Sequence, residues 1–268
     1  MAAMEAAFPI PGYVTEATRR AVYHVTRELA RAAFAGPLRL LDIGCGPMDK
    51  TAVLQSLGYE CWGVDDLSDP WHRAEGRIAD IMHFAEATGI RFVLADGESA
   101  PVPCAHFDIA TMFDVIEHLH SSPRDLLNMA GQALKDEGLL CVTMPNSVNL
   151  RKRLAVLVGR SNYPPVNQFF YSTGTWRGHV REYTLRETVY VCEAAGFDVL
   201  SASGFEALAF DKMPKVAAEV YSRAIRLLPG CGSGICVVAR KPRGWIPARI
   251  DSASYRKAAA ASLPPALR

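Results

Sequence analysis

The sequence predicts an α/β fold built on a doubly wound, mainly parallel sheet, and two features of the chain support this prediction. From Leu38 onward, short apolar runs alternate with stretches of helical periodicity. The apolar runs are continuous, which is typical of parallel strands covered by helices on both faces. At 268 residues, the chain is long enough to enclose the core of one such domain.

An N-terminal helix is the first predicted element. Within residues 13–35, Val22, Val25, Leu29 and Ala33 recur at helical spacing, and the pattern stops at a Gly-Pro pair. We therefore expect residues 1–36 to form a helical cap.

Seven strands are predicted in residues 37–244, which we interpret as one domain. In chain order they are LRLLDIG, YECWGVD, IRFVLAD, FDIATMFD, GLLCVTMP, FDVLSASGF and GICVVARK. Helices are predicted in DKTAVLQSLG, in a segment ending near Thr88, and at 122–134, 185–195 and 214–228. Residues 245–268 form a predicted tail, whose Ala and Pro content leaves little to pack.

Residues 146–183 interrupt this alternation. The segment is rich in aromatic, proline and basic residues, and it is much longer than the usual connection of about 2 to 6 residues between a helix and a strand. We expect it to be a lid over the functional site. The alternative is a disordered insertion.

The amino-acid composition limits which kinds of molecule are expected to bind this protein and where it is expected to be located. The 29 Lys and Arg residues nearly balance the 28 Asp and Glu residues, so nucleic acid is not expected as the main partner. The seven cysteines form no close CxxC pair, which argues against a disulfide framework or a zinc site and favours a reducing cytoplasm. No apolar run approaches the roughly 20 residues of a membrane span, and no signal peptide is recognisable, so a soluble cytoplasmic protein is expected. A homodimer is compatible with the sequence.

The turn after the first strand, in LLDIGCGPMDKT, has glycines where a ligand can approach the backbone. Gly44 and Gly46 would suit a dinucleotide loop or a phosphate loop, but both of those favour a small residue at position 49. Asp49 stands there, and its carboxylate repels phosphate at the helix N-terminus, while Pro47 lacks an N–H donor. The loop is therefore predicted to hold a cationic nucleoside without phosphate, such as S-adenosylmethionine.

An acidic residue follows the second strand. Asp65 lies 21 residues beyond Gly44, which is the spacing at which a carboxylate meets ribose in nucleoside-binding βαβ units. Its two oxygens can accept hydrogen bonds from both ribose hydroxyls. The alternative is that Asp65 or Asp66 caps the following turn.

Four motifs, LDIGCG, GVD, ADGESAPVPCAHFDIA and FDVIEHL, occur in order over residues 38–145. In this order and spacing they resemble the class I S-adenosylmethionine-dependent methyltransferases, particularly a large bacterial group that methylates small molecules and glycans. The resemblance implies a Rossmann-like methyltransferase sheet of seven strands with the last antiparallel, and S-adenosylmethionine as the cofactor. The family's frequent third glycine is Met48 here, which leaves the detailed path of the loop open.

The resemblance also assigns residues to the cofactor site: Asp42, Gly44, Gly46, Asp65, Asp96, Gly97 and Phe113. In this assignment the two loop glycines pass under the methionine and the ribose, and Asp65 holds the ribose. Asp96 and Gly97 meet the amino edge and ring nitrogen of adenine. Asp42 supports the glycine loop.

Titratable side chains cluster after the fourth strand, at the edge where open α/β sheets bind ligands. They are Asp114, Glu117, His118 and His120. Methyl transfer to a hydroxyl needs a proton acceptor, and we predict His118, because the resemblance places the Glu117–His118 pair at the methyl-donor end of the pocket. The alternative is an architectural role for this pair. Asp114 is assigned to the acceptor, and no metal site is predicted because a firm ligand spacing is lacking.

The segment GHVREYT, residues 178–184, closes the insertion. His179, Arg181 and Tyr183 alternate, so on an extended backbone they share one face. Arg181 would then bind an anionic or polyhydroxy acceptor, and His179 would be the rival base. The alternative is that Thr184 and Glu187 form a capping box that begins the next helix.

Aromatic residues of the insertion, including Tyr171 and Trp176, are predicted to line the acceptor pocket. The alternative is that they form the small core of the lid. The neighbouring RKRLAVLVGR combines basic and apolar residues, and we interpret it as a solvated lid helix in preference to a membrane contact.

These features favour an O-methyltransferase that acts on a hydroxyl of a small or saccharide-like acceptor, with a glycan pathway preferred. After the fourth strand there is no Asp or Asn followed by two prolines and an aromatic residue, a motif that would indicate amino methylation of a base. A prenylated quinone precursor or a lipid-like phenol is the second acceptor class. A non-catalytic S-adenosylmethionine-binding subunit is the alternative outside enzymes.

Overall fold

The computed structural model describes residues 8–30, 38–69, 72–73, 76–97, 99–207 and 215–249, and within these ranges seven strands form one sheet. The strands are β1 (Arg39–Ile43), β2 (Glu60–Asp65), β3 (Arg91–Leu94), β4 (Phe107–Phe113), β5 (Leu134–Pro145), β6 (Asp198–Phe205) and β7 (Gly234–Arg240). Their order across the sheet is β3-β2-β1-β4-β5-β7-β6. Neighbours are parallel except at β7, which runs antiparallel to β5 and β6. The predicted doubly wound sheet with an antiparallel last strand is confirmed.

Helices lie on both faces of the sheet. They are α1 (Glu16–Ala30), α2 (Asp49–Ser56), α3 (Arg77–Thr88), α4 (Arg124–Ala133), α5 (Leu150–Leu157), α6 (Val166–Phe170), α7 (Leu185–Ala194) and α8 (Lys215–Leu227), with 3-10 turns at Ile116–His118 and Pro229–Cys231. Apolar residues of α4 and α7 belong to one core layer, and those of α1, α2 and α3 belong to the other. The helices were therefore predicted in the right places, with ends that differ by one or a few residues.

Successive strand residues point into these two core layers. Leu40 packs with the layer that contains α1, whereas Leu41 packs with the layer that contains α4, and both side chains are fully buried. This double burial explains why the strands are continuously apolar.

The N-terminal helix packs against the sheet through its apolar stripe. Val22, Val25 and Leu29 are buried in the layer formed with α2 and α3. The predicted end of the cap at Gly36-Pro37, and Ala33 before it, lie outside the described residues.

The insertion between β5 and α7 contains two short helices with exposed side chains. No residue of α5 or α6 is buried, and Leu157 and Phe170 are 79% and 75% exposed. In the described part of the chain, no helix is long and apolar enough to span a bilayer.

The start of the C-terminal segment packs on the domain, contrary to the expectation that it has little to pack. Trp245 donates its indole N–H to the carbonyl of Ala195 at 2.9 Å, and its ring lies against Phe197. The ring also occupies the space beside Gly131, where an added Cβ would lie 2.4 Å from it. Residues 250–268 of the predicted tail lie outside the described residues.

Candidate active site

A cavity of about 730 Å³ opens at the carboxyl ends of β1, β2 and β4. From β1 the chain adds β2 and β3 on one side of the sheet and β4 and β5 on the other. The direction of winding therefore reverses between β1 and β4, and open α/β sheets bind ligands at such a point. The volume suits a small-molecule ligand. Eight of the predicted site residues line this cavity: Gly44, Gly46, Asp65, Asp96, Gly97, Phe113, Asp114 and His118.

The glycine loop after β1 turns through three left-handed residues. Gly44, Gly46 and Met48 have φ angles of 70°, 53° and 66°. A side chain at Gly44 would also collide with Val115, because an added Cβ would lie 2.6 Å from its Cγ2. Met48 adopts a left-handed conformation that glycine takes up readily, at a backbone cost of roughly 1–2 kcal/mol. Its fully buried side chain offsets this cost by packing in the core.

Asp42, at the end of β1, connects the elements on either side of the glycine loop. Its buried carboxylate accepts hydrogen bonds from Thr51 of α2 at 2.5 Å and from Thr111 of β4 at 2.8 Å. Burial raises the pKa of this carboxyl to about 6, although both hydroxyls favour its charged form. The contacts join the strand, the following helix and the neighbouring strand at the base of the cavity.

Asp65 connects the glycine loop to the turn after β2. Its Oδ2 accepts from the N–H of Gly46 at 2.8 Å, and its Oδ1 accepts from the N–H of Leu67 at 2.7 Å. Burial raises the pKa of the carboxyl, and these two N–H groups oppose the rise. The turn-capping alternative is therefore present in the structure, and Asp66 likewise accepts from the N–H of Ser68. Each carboxylate oxygen of Asp65 has a second lone pair for a ligand hydroxyl.

The side chains that line the cavity are more acidic than basic. They include Asp49, Asp65, Asp66, Asp69, Asp96 and Asp114, against Lys50 and Arg177. Asp49 begins α2, where a bound phosphate would otherwise take up the free N–H groups. Lys50 lies 3.4 Å from the carboxylate of Asp114, so part of the positive charge is already compensated. This lining fits a cationic nucleoside without phosphate, and S-adenosylmethionine is such a ligand.

Three titratable side chains come together beside the cavity, which His118 lines. Glu117 and His118 lie in the 3-10 turn after β4, and His179 lies near the end of the insertion. One nitrogen of each imidazole and one carboxylate oxygen lie within 4.8 Å of one another. Burial and the charge of Asp114 raise the pKa of the Glu117 carboxyl well above its ordinary value. Burial, followed by the charges of His118 and Lys152, lowers the pKa of His179 to about 4.

Hydrogen bonds fix the end of the insertion to this 3-10 turn. The Nδ1 of His118 donates to the carbonyl of Arg177 at 2.9 Å. The N–H groups of Val180 and Arg181 donate to the carbonyl of Glu117 at 2.7 and 3.1 Å. The insertion is thereby held against the residues that were predicted to act in catalysis.

Four predicted acceptor contacts do not line the cavity: Arg181, Tyr183, Tyr171 and Trp176. Arg181 points to Glu187, to which it donates a hydrogen bond at 3.0 Å, and Tyr183 is 7% exposed in the core. The capping box of Thr184 and Glu187 is present, so the end of the segment leads into α7, while Tyr183 forms an isolated bridge with Asn146. Trp176 packs edge-on against Phe169, and Tyr171 is 79% exposed.

Several cavity residues were not predicted from the sequence: Tyr13, Lys50, His72 and Arg177. The sequence did contain a signal for Lys50, because this residue directly follows Asp49 in the glycine-loop motif. Tyr13 precedes α1, and burial together with the charge of Asp49 raises its pKa to about 12. No sequence spacing connects Tyr13 or His72 with the glycine loop, because the tertiary fold brings them there.

Comparison with known proteins assigns the chain to a family. Residues 16–202 match the family model described as a methyltransferase domain. The chain is similar to two curated proteins named ubiquinone biosynthesis O-methyltransferase. The one from Ruegeria sp. (strain TM1040) is 33% identical over 116 residues, which are 42% of this chain and 43% of that protein. The one from Azorhizobium caulinodans is 28% identical over 160 residues, which are 59% of each chain.

The matched region spans about half the length of these curated relatives. Among solved structures, a SAM dependent methyltransferase from Archaeoglobus fulgidus has a TM-score of 0.53 and 20% identity, and the match covers 84% of this chain and 94% of that one. At this identity the similarity shows the fold alone. The family model, in contrast, covers more than half of the chain and includes the glycine loop, Asp65 and the 3-10 turn. The chain therefore belongs to the methyltransferase domain family.

Proposed function

We propose that the protein methylates a hydroxyl group of a small phenol-like acceptor. The observation that carries the proposal is the convergence of Glu117, His118 and His179 beside the cavity. Asp65 follows β2, and Glu117 and His118 follow β4; these strands lie on either side of β1, so the residues flank the glycine loop. A cofactor whose ribose binds Asp65 would extend across the loop toward the cluster.

For this reaction the protein has to align the methyl donor with the acceptor and to remove the proton of the acceptor hydroxyl. S-adenosylmethionine supplies a methyl carbon on a sulfonium; the acceptor oxygen bonds to this carbon while the C–S bond breaks and its electron pair stays on sulfur. Gly44, Gly46 and Asp65 are proposed to hold the donor in line with the acceptor, and such positioning accounts for much of the rate. We assign the loss of the hydroxyl proton to the Glu117, His118 and His179 cluster, because a neutral hydroxyl is a poor nucleophile at neutral pH.

A phenol as acceptor is supported by the curated relatives, which are named ubiquinone biosynthesis O-methyltransferase. The saccharide class, which the sequence favoured, has less support. No curated relative named above acts on a sugar by name, and Tyr171 and Trp176, which were expected to line a pocket for a sugar ring or an aromatic acceptor, do not line the cavity. We therefore place a phenol first and a saccharide second among acceptors.

The proposal is tested with purified protein, methyl-labelled S-adenosylmethionine and matched acceptor panels. One panel contains phenols and catechols with and without a short prenyl chain, and the other contains hydroxyl-bearing sugars. Label in a phenolic methyl ether, located by mass spectrometry, supports the proposal. Transfer only to sugars, or tight cofactor binding without transfer to either panel, contradicts it; the second result would indicate a non-catalytic subunit.

A single substitution tests whether the cluster of Glu117, His118 and His179 acts in methyl transfer. His118→Ala is expected to slow transfer about 100-fold or more while cofactor affinity stays unchanged. His83→Ala is the matched control, because this histidine is exposed on α3. If both variants retain wild-type turnover, the cluster does not activate the acceptor.

A further inference from the structure

The backbone N–H groups of the glycine loop are already used inside the protein. Those of Gly44 and Cys45 donate to the carbonyl of Val64 at 2.8 and 3.2 Å, and that of Gly46 donates to Asp65 at 2.8 Å. The next residue is a proline without an N–H, and the residue after it donates to a carbonyl inside the loop at 3.0 Å. An anionic group of a ligand therefore needs a donor from elsewhere in the cavity.

The start of α2 is also unsuited to an anion. Its first residue, Asp49, lines the cavity, so a ligand carboxylate near the free N–H groups of this helix would meet a like charge. Among the described residues, the lysine and arginine side chains that line the cavity are Lys50 and Arg177. The side chain of Lys50 is 20% exposed, whereas Arg177 is exposed and lies in the insertion. Lys50 is thus the basic residue that adjoins the glycine loop.

Lys50 is paired with Asp114, which follows β4. Its Nζ lies 3.4 Å from the Oδ2 of Asp114 and 5.7 Å from the centre of the Phe113 ring. Burial lowers the pKa of Lys50, but neighbouring acidic groups, chiefly Asp49 and Asp114, raise this pKa above its ordinary value overall. Lys50 therefore carries its positive charge at neutral pH.

Asp114 is held in an uncommon backbone conformation. Its φ angle is 58°, in the left-handed region that residues with a side chain seldom adopt. Its N–H donates to the carbonyl of Thr143 at 2.9 Å, which anchors the turn to β5. Conformations of this kind cluster at ligand sites, and the side chain of Asp114 lines the cavity and is 41% exposed. The carboxylate therefore has room for a partner besides Lys50.

The order of the strands places this ion pair at one end of the cavity. Asp65 follows β2 and Asp114 follows β4, on opposite sides of β1. With its ribose at Asp65, S-adenosylmethionine would extend toward β4 in one direction and toward β3 in the other. Its adenine is uncharged, whereas its methionine part carries a carboxylate and an ammonium group. The ion pair therefore matches the methionine part.

We propose that Lys50 binds the carboxylate of the methionine part of S-adenosylmethionine and that Asp114 binds its ammonium group. The inference rests on the cofactor of the proposed function, and it assigns Asp114 to the methyl donor instead of the acceptor. Without a ligand, the two side chains compensate each other. When the zwitterion lies between them, each side chain gains a partner of opposite charge, and the net charge of the site stays the same. A nucleoside without the amino-acid part leaves the ion pair closed and gains neither contact.

The role of Lys50 is tested by calorimetry with two thioether nucleosides, S-adenosylhomocysteine and 5′-methylthioadenosine. Both contain adenosine and the sulfur atom, but only the first carries the zwitterion. Lys50→Met should weaken binding of S-adenosylhomocysteine about tenfold or more, because a charged hydrogen bond is lost, and should leave the affinity for 5′-methylthioadenosine unchanged. Lys50→Arg keeps the charge and should retain most of the affinity for S-adenosylhomocysteine.

The role of Asp114 is tested with decarboxylated S-adenosylmethionine, which keeps the ammonium group and lacks the carboxylate. Asp114→Asn should weaken binding of this compound about tenfold or more, whereas Lys50→Met should not weaken it. Arg177→Met is the matched control, because it removes the other basic side chain of the cavity. It should not change the ratio of the affinities for the two thioether nucleosides.

The inference is overturned if Lys50→Met weakens binding of both thioether nucleosides equally or of neither. It is also overturned if Arg177→Met, and not Lys50→Met, causes the loss that is specific to the zwitterion. Retained binding of 5′-methylthioadenosine shows that each variant is folded. These measurements contain no acceptor, so methyl transfer to phenols still tests the proposed function separately; a wild type that binds neither nucleoside would contradict both.

Discussion

Asp42→Asn is expected to change the free energy of unfolding in a pH-dependent way. The carboxyl of Asp42 is fully buried beneath the glycine loop, and burial raises its pKa from 3.8 to about 6. Because the folded state binds this proton more tightly than the unfolded state, folding is favoured at low pH. The contribution of Asp42 to stability therefore falls as the pH rises from about 4 through 6.

The magnitude follows from the two pKa values. A difference of about two pKa units corresponds to a destabilisation of about 3 kcal/mol well above pH 6. At about pH 4.5 the same linkage leaves only about 1 kcal/mol. Asparagine carries no charge at either pH, and the hydroxyls of Thr51 and Thr111 can rotate to donate to its oxygen or accept from its amide.

Urea unfolding of the wild type and of Asp42→Asn, followed by circular dichroism, measures this effect. Between about pH 4.5 and pH 7.5, the difference in unfolding free energy should move by about 2 kcal/mol in favour of the variant. The other titrating groups are common to both proteins and cancel in this difference. A difference that is equal at the two pH values would refute the reasoning that Asp42 is a buried acid with a raised pKa.

Three further predictions concern the site and the core. Asp65→Ala should weaken S-adenosylmethionine binding roughly tenfold to a hundredfold in calorimetry, because charged hydrogen bonds to the ribose are lost; unchanged affinity in a folded variant would exclude the ribose role. Glu117→Met should raise the unfolding free energy by about 1–3 kcal/mol, because an unpaired buried carboxyl group is replaced by an apolar side chain of similar size; a less stable variant would contradict this. Trp245→Ala should lower the unfolding free energy by about 2–3 kcal/mol, since a half-buried ring and its hydrogen bond to Ala195 are removed. If unfolding in urea is unaffected, the segment does not contribute to the core.

Much of the fold was predictable because strands and glycine turns are local signals. Leu40 and Leu41 are buried on opposite faces of β1, so the apolar run that encodes the strand is visible in the sequence. Trp245 was misjudged for the opposite reason. Its partners, Gly131 and Ala195, are distant along the chain, and a short segment with alanine and proline gives no indication of them.

The residues assigned to the cofactor line the cavity more often than those assigned to the acceptor. Gly44, Gly46 and Asp65 follow β1 and β2 directly, so the sheet places them at one edge. The acceptor residues were taken from the insertion, where side-chain direction depends on which helix the segment joins. Arg181 was expected to face the cavity, but the capping box at the start of α7 directs it to Glu187.

The hydrogen bonds between the insertion and the 3-10 turn after β4 limit how this protein can be re-engineered. Exchanging residues 146–183 for the corresponding loop of a homologue with a different backbone path would displace the carbonyl of Arg177 that binds His118, and also the two N–H groups that hold the backbone of Glu117. A loop swap intended to alter acceptor range would thus disturb turnover as well. A successful chimaera has to retain the last few residues of the native insertion, so the transplantable part ends before Trp176.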